Sequence, residues 1–158
     1  MRNKIGQKAA VIMAVIALLI CTACSCAEKN GAIHLTEEQA DEFLNSRFHG
    51  ISGIESADLT TEAVGGKSGR APGPTDTMTY GIVTIAKKQA DVYSGEYIWE
   101  EWGDDTKEIY ADLMKKSGAD TSDNWRVSKD FTKYAQSAPG DSIILMNGNR
   151  LWICYFTN

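Results

Sequence analysis

Three of the chain's four cysteines fall at positions 21, 24 and 26. Cys21-Thr22-Ala23-Cys24 has the Cys-x-x-Cys spacing shared by zinc sites and dithiol redox centres. A structural zinc site closes a tetrahedral shell of four ligands. Near this cluster only His34 and His49 could complete it. The spacing is therefore suggestive and the ligand set is thin, so no metal site is assigned.

Other short motifs fail on their own chemistry. Gly66-Lys67-Ser68 matches the end of a phosphate loop, but the glycine required five positions earlier is Thr61, and prolines follow where a helix should begin. Asp120-Thr121-Ser122-Asp123-Asn124 places oxygens at alternate positions as a calcium loop does. Its sixth position is Trp125 rather than glycine, and its twelfth is Phe131 rather than glutamate. A Ser-His-Asp arrangement would have to use His34 or His49, and no Gly-x-Ser-x-Gly elbow holds a nucleophile. The pairs Glu100-Glu101 and Asp104-Asp105 are sequence neighbours whose side chains diverge on a helix or strand. No catalytic residue and no cofactor is assigned.

One stretch invites a binding role. Tyr93, Tyr97, Trp99 and Trp102 lie close together, interleaved with Glu96, Glu100 and Glu101. Aromatic side chains with a polar tip are enriched at interfaces. Beside carboxylates they could hold a sugar or a cationic peptide. On a strand, Tyr93, Tyr97 and Trp99 would share one face. The competing reading is that Trp99 and Trp102 plug the gap between the helix that follows them and the sheet.

The context of the cysteines is more specific. Arg2, Lys4 and Lys8 precede an unbroken apolar run, Ala9–Ile20, and small residues follow. As a helix the run spans about 18 Å, short of the ~30 Å hydrocarbon core. A basic start, a short apolar core and small residues mark a secretory signal peptide. Residues 21–24 resemble the lipobox of bacterial lipoproteins, with Ala23 at −1, Thr22 at −2 and Cys24 at +1. The departure is Cys21 at −3, where that family usually has Leu. The resemblance covers residues 1 to about 26. It implies cleavage before Cys24, a diacylglycerol on the Cys24 sulfur, labelling by palmitate, and an extracytoplasmic domain anchored to a bacterial membrane. Cys26 is the alternative acceptor. Cys21 would leave with the signal peptide.

Cleavage removes three basic residues and no acid, so the remainder is more acidic than the whole chain's net −5. That balance argues against a nucleic-acid partner, which requires a basic patch. It equally argues against electrostatic docking on anionic lipid, leaving the acyl chains to hold the membrane.

The elements follow from pattern. Residues 1–23 form the signal peptide, 24–35 a tether and 36–158 one domain. Thr36-Glu37-Glu38-Gln39 is a capping box that opens a helix with Ala40, Phe43, Leu44 and Phe48 on one stripe and Gly50 as its stop. Ile54–Val64 suits a strand, Gly65–Asp76 a loop, and Met78–Ala86 a central strand. Ala90–Trp99 reads as an edge strand or a short helical turn. A second helix covers Asp104–Lys116, burying Ile109, Tyr110, Leu113 and Met114, and Gly118 ends it. Trp125–Ser128 suits a short strand. Asn147-Gly148 between two apolar runs predicts a closing hairpin. Cys154 shares strand parity with Trp152 and Phe156, so it is expected to be a buried thiol rather than a partner for Cys26.

The sum is an α+β domain with an antiparallel sheet of four to five strands and two helices packed on one face. The expected function is non-catalytic binding of an envelope protein, peptide or glycan. The alternative is a small cell-envelope enzyme or enzyme inhibitor using the acidic aromatic segment 93–105.

Overall fold

The computed structural model of the chain describes residues 31–64 and 76–157. The signal peptide, Cys21, Cys24, Cys26 and most of the Gly65–Asp76 loop lie outside the described residues. Within them the chain runs β1 (Ala32–His34), α1 (Glu37–Arg47), β2 (Ile54–Val64), β3 (Asp76–Ile85), α2 (Lys87–Glu96), β4 (Glu100–Glu101) and α3 (Asp104–Lys116). It continues as β5 (Arg126–Val127), α4 (Lys129–Ala135), β6 (Asp141–Asn147) and β7 (Arg150–Thr157). All strands join one antiparallel sheet in the order β1-β2-β3-β7-β6-β5-β4.

The domain is α+β, as expected, but with seven strands and four helices among the described residues. The additional strands are β1 and β4, three and two residues long and too short to show alternation. Ala32–His34, read as tether, pairs with Thr60–Glu62 at the sheet edge. The additional helices are α2 and α4.

The capping box forms as predicted. The Gln39 N–H donates to Thr36 Oγ1 at 3.3 Å, and the Thr36 N–H donates to Gln39 Oε1 at 3.0 Å. Ala40, Leu44 and Phe48 are buried. The helix closes at Phe48, whose N–H reaches the Leu44 carbonyl, not at Gly50. Gly50 instead lies against α4, where its N–H donates to the Ala135 carbonyl.

Helices cover both faces of the sheet, which corrects the one-face expectation. The first core joins α1, α2 and α4 to Leu59, Val83, Ile144, Leu151, Ile153 and Tyr155. The second joins Met114 of α3 to Met78, Tyr80, Leu145, Trp152 and Cys154. Strands β3, β6 and β7 send apolar side chains in both directions, so each face must be covered. On α3, Met114 is buried and Tyr110 and Leu113 pack partly against the second core. Ile109, expected in that stripe, is 72% exposed.

The closing hairpin is present with its turn moved by one residue. Asn147 pairs with Arg150, so the two turn residues are Gly148 and Asn149. The physical reason lies in Asn149, whose side-chain amide donates to the Ile85 carbonyl at 3.2 Å and whose carbonyl accepts from the Ile85 N–H at 2.9 Å. Gly148 has φ +60° and open space where a Cβ would stand. Gly148→Val is therefore expected to cost about 1–3 kcal/mol through backbone strain alone. A thermal melt coincident with wild type would refute the turn.

Cys154 is fully buried in the second core, as strand parity predicted. Burial pushes its thiol pKa from 9.0 up to about 12. The unfolded chain loses this proton near pH 9 while the folded chain keeps it. Stability is therefore full below pH 9 and falls between pH 9 and about 12. Two results are expected. A thiol reagent at about pH 8, below the ordinary thiol pKa, reacts only after denaturation, and Cys154→Ala makes the alkaline fall in stability shallower. Rapid native labelling, or an unchanged alkaline limb, would contradict this placement.

Candidate functional site

Tyr93, Tyr97 and Trp99, expected to share one face of a strand, lie on no strand, and Trp102 packs apart from them. Tyr93 sits in α2 rather than on a strand, and is buried. Its hydroxyl donates to the Gly50 carbonyl at 2.8 Å and accepts from the Ser52 N–H at 2.9 Å. It thus ties the loop after α1 to α2. Tyr97 caps the C-terminus of α2, half-buried, with its ring against Phe131 at 5.2 Å and Tyr134 at 5.5 Å. Trp99 is buried in the first core, its indole N–H donating to the Tyr93 carbonyl at 2.9 Å. The Arg126 guanidinium donates to the Trp99 carbonyl. Trp102 is buried in the second core, its ring 6.4 Å from Tyr110. The segment wraps the sheet edge, three rings entering one core and the fourth entering the other. Tyr93, Trp99 and Trp102 hold the fold together and offer little surface to a ligand.

The acidic part of the same segment reaches a groove. A cavity of about 830 Å³ opens beside β6, within the range of ordinary ligand sites. Its floor is Asp141, Ser142 and Ile143. One wall is α4, through Lys129, Thr132, Lys133 and Gln136. The other is the entry to α3, through Trp102, Gly103, Thr106 and Tyr110, with Glu100 and Glu101 of β4 at the rim.

Local sequence explains each wall. Ser128 caps α4, its hydroxyl accepting from the Phe131 N–H at 3.3 Å, and this turns the chain out of the sheet after Val127. Phe131 and Ala135 then bury one side of α4 and leave Lys129 and Lys133 exposed. At the end of α4, the Gln136 amide donates to the Ala138 and Gly140 carbonyls at 2.8 and 2.6 Å, and its oxygen accepts from the Ser142 hydroxyl. This side chain fixes the approach of α4 to β6. Asp104 and Asp105 open α3, favoured at the positive helix end. Burial raises the Tyr110 hydroxyl pKa above its ordinary value.

One polar atom in this wall is unsatisfied. Among the described residues the buried Trp102 indole N–H finds no acceptor, an arrangement that costs about 1–3 kcal/mol. Sequence reasoning found Glu100, Glu101 and Trp102 but missed α4 and the start of β6. The available signal was Ser128 followed by Phe131 and Ala135, a cap and one buried turn. Among the described residues, no group of three or more His, Cys, Asp or Glu side chains converges as a metal site, and no helix is long and apolar enough to cross a membrane. No family model, curated protein or solved structure matches the chain.

Proposed function

We propose that this chain is a bacterial lipoprotein, held at a membrane by a lipid on Cys24, whose α+β domain binds a partner without catalysis in the groove beside β6. The groove carries the reading. It is large enough for a ligand, and its lining carries carboxylates and ammonium groups from separate elements, Glu100, Glu101 and Asp141 with Lys129 and Lys133. The signal-like run and the lipobox-like residues 21–24 support the anchor, and the acidity of the remainder supports acyl chains as the means of attachment. The binding surface differs from the aromatic face expected from spacing. Of that set only Trp102 lines the groove.

Two measurements test the two halves. Labelled palmitate should enter the wild-type chain, and Cys24→Ser should abolish both labelling and processing. Label lost in Cys26→Ser instead would move the anchor, and label lost in neither would remove it. For the groove, a photoreactive residue replacing Lys133 in the full-length chain in membranes should yield an adduct at least tenfold more abundant than one replacing Lys88 on α2. Equal adducts from both positions would sink the groove as the binding site.

A further inference from the structure

Strand β6 is longer than the strand beside it. It pairs with β7 along its whole length, Asp141 to Asn147, but with β5 only at Leu145 and Met146. Because Ser128 caps α4, β5 stops after Val127. Among the described residues Asp141–Ile144 therefore flank no strand on that side, and the groove occupies the vacated place. The gap is about four residues long, roughly 13 Å of extended chain.

Alternation decides which backbone groups look into it. Asn147 closes the two-residue turn opposite Arg150, so its N–H and carbonyl face β7. Leu145, Ile143 and Asp141 share that parity. The intervening Ser142 directs its N–H and carbonyl away from β7, into the groove. Among the described residues β5 does not extend opposite Ser142, which is half-buried. The buried Trp102 N–H in the adjoining wall finds no acceptor among the described residues.

Charge selects among extended occupants. Three carboxylates line the groove, Glu100 and Glu101 of β4 and Asp141 of β6. Against them stand Lys129 and Lys133. The whole chain is net negative. We propose that the groove binds an extended, basic peptide segment of a partner protein, added as a strand against Asp141–Ile144. Main-chain hydrogen bonds would supply affinity and the acidic rim would supply preference for cationic side chains. This rests on the groove being the binding site.

The probes are two capped hexapeptides of alternating valine and charged residues, one with lysine and one with glutamate, titrated into the full-length chain in detergent. The lysine peptide should bind at least tenfold more tightly than the glutamate peptide and slow hydrogen exchange at the Ser142 amide. N-methylation of its alternate backbone nitrogens, which keeps every side chain, should weaken it at least tenfold. On the protein, Ser142→Pro removes the outward N–H at an edge position where proline is tolerated, and should weaken binding similarly, while Lys88→Ala on α2, outside the groove, should not. Should Ser142→Pro fail to fold, the N-methylated peptide decides alone. Equal affinity for the methylated peptide, tighter binding of the glutamate peptide, or no binding of either at millimolar concentration would overturn the proposal. A protease-resistant adduct at position 133 would overturn it too, while leaving the groove reading intact. No adduct there would remove both.

Discussion

Gly81→Ala is expected to remove a large part of the domain's stability. Gly81 lies in the middle of β3, opposite Leu59 on β2 and Ile153 on β7. Its φ is +155°, a conformation L side chains rarely adopt. A Cβ there would stand 2.0 Å from the Asp58 carbonyl oxygen and 2.9 Å from the Leu59 Cα. Both are backbone atoms of a neighbouring strand, so no rotamer change relieves the clash. Either β2 and β3 separate at their centre or the strand twists out of register. Backbone strain costs about 1–3 kcal/mol and overpacking a further ~1–3 kcal/mol. Against a total stability of about 5–15 kcal/mol, that loss is a large fraction. Urea denaturation of the full-length chain, followed by circular dichroism, measures it. A midpoint within experimental error of wild type would mean that β2 and β3 do not approach as described.

Trp152→Ala carries the second large effect, on the opposite side of the sheet from α1. Trp152 is fully buried in β7, with Tyr110 of α3 edge-on at 5.7 Å. Its indole N–H donates to the Ser117 hydroxyl at 2.9 Å, which joins the end of α3 to the central strand. Truncation should cost about 3–5 kcal/mol, from lost burial and the cavity left behind. Ile109→Ala, on the same helix but 72% exposed, should change stability by no more than about 0.5 kcal/mol. The pair of measurements separates a second core from a loosely attached helix. If Trp152→Ala proved as mild as Ile109→Ala, α3 would not be packed on this face.

Trp152 also shows what was legible in the chain. Leu151-Trp152-Ile153-Cys154-Tyr155-Phe156 has no polar side, and a strand of that kind needs cover on both faces. The signal for a second helical layer was present in β7 and again in β3. It was outweighed because only two helices are clearly patterned. The helices missed, α2 and α4, are short and weakly patterned. Helix α2 begins at Lys87 with no side-chain cap, and glycine stands near its end. Nothing within that segment distinguishes a helix from an edge strand. The choice is made by contacts far along the chain, the Tyr93 hydroxyl on Gly50 and its ring 4.6 Å from Phe131.

The groove was hidden for a related reason. Glu100, Glu101 and Trp102 stood out by composition, but their meaning depends on Lys129–Gln136 and Asp141–Ile143, which adjoin them only after β5 and β6 pair. The aromatic face failed because it required Tyr93 to Trp99 to be a strand. In the fold, one ring is carried by a helix and two lie beyond its end.

By itself the sequence determined whatever is set within a few residues. The capping box at Thr36 and Gln39, the central strand β3, the closing hairpin and the common face of Trp152 and Cys154 all follow from local hydrogen bonding or a fixed side-chain period. The tertiary structure decided which faces are covered, which residue opens the hairpin turn, and where the sheet leaves an edge unpaired. Those outcomes depend on apolar surfaces and backbone groups finding partners distant in sequence, and a short stretch of chain carries no record of which partner it will meet.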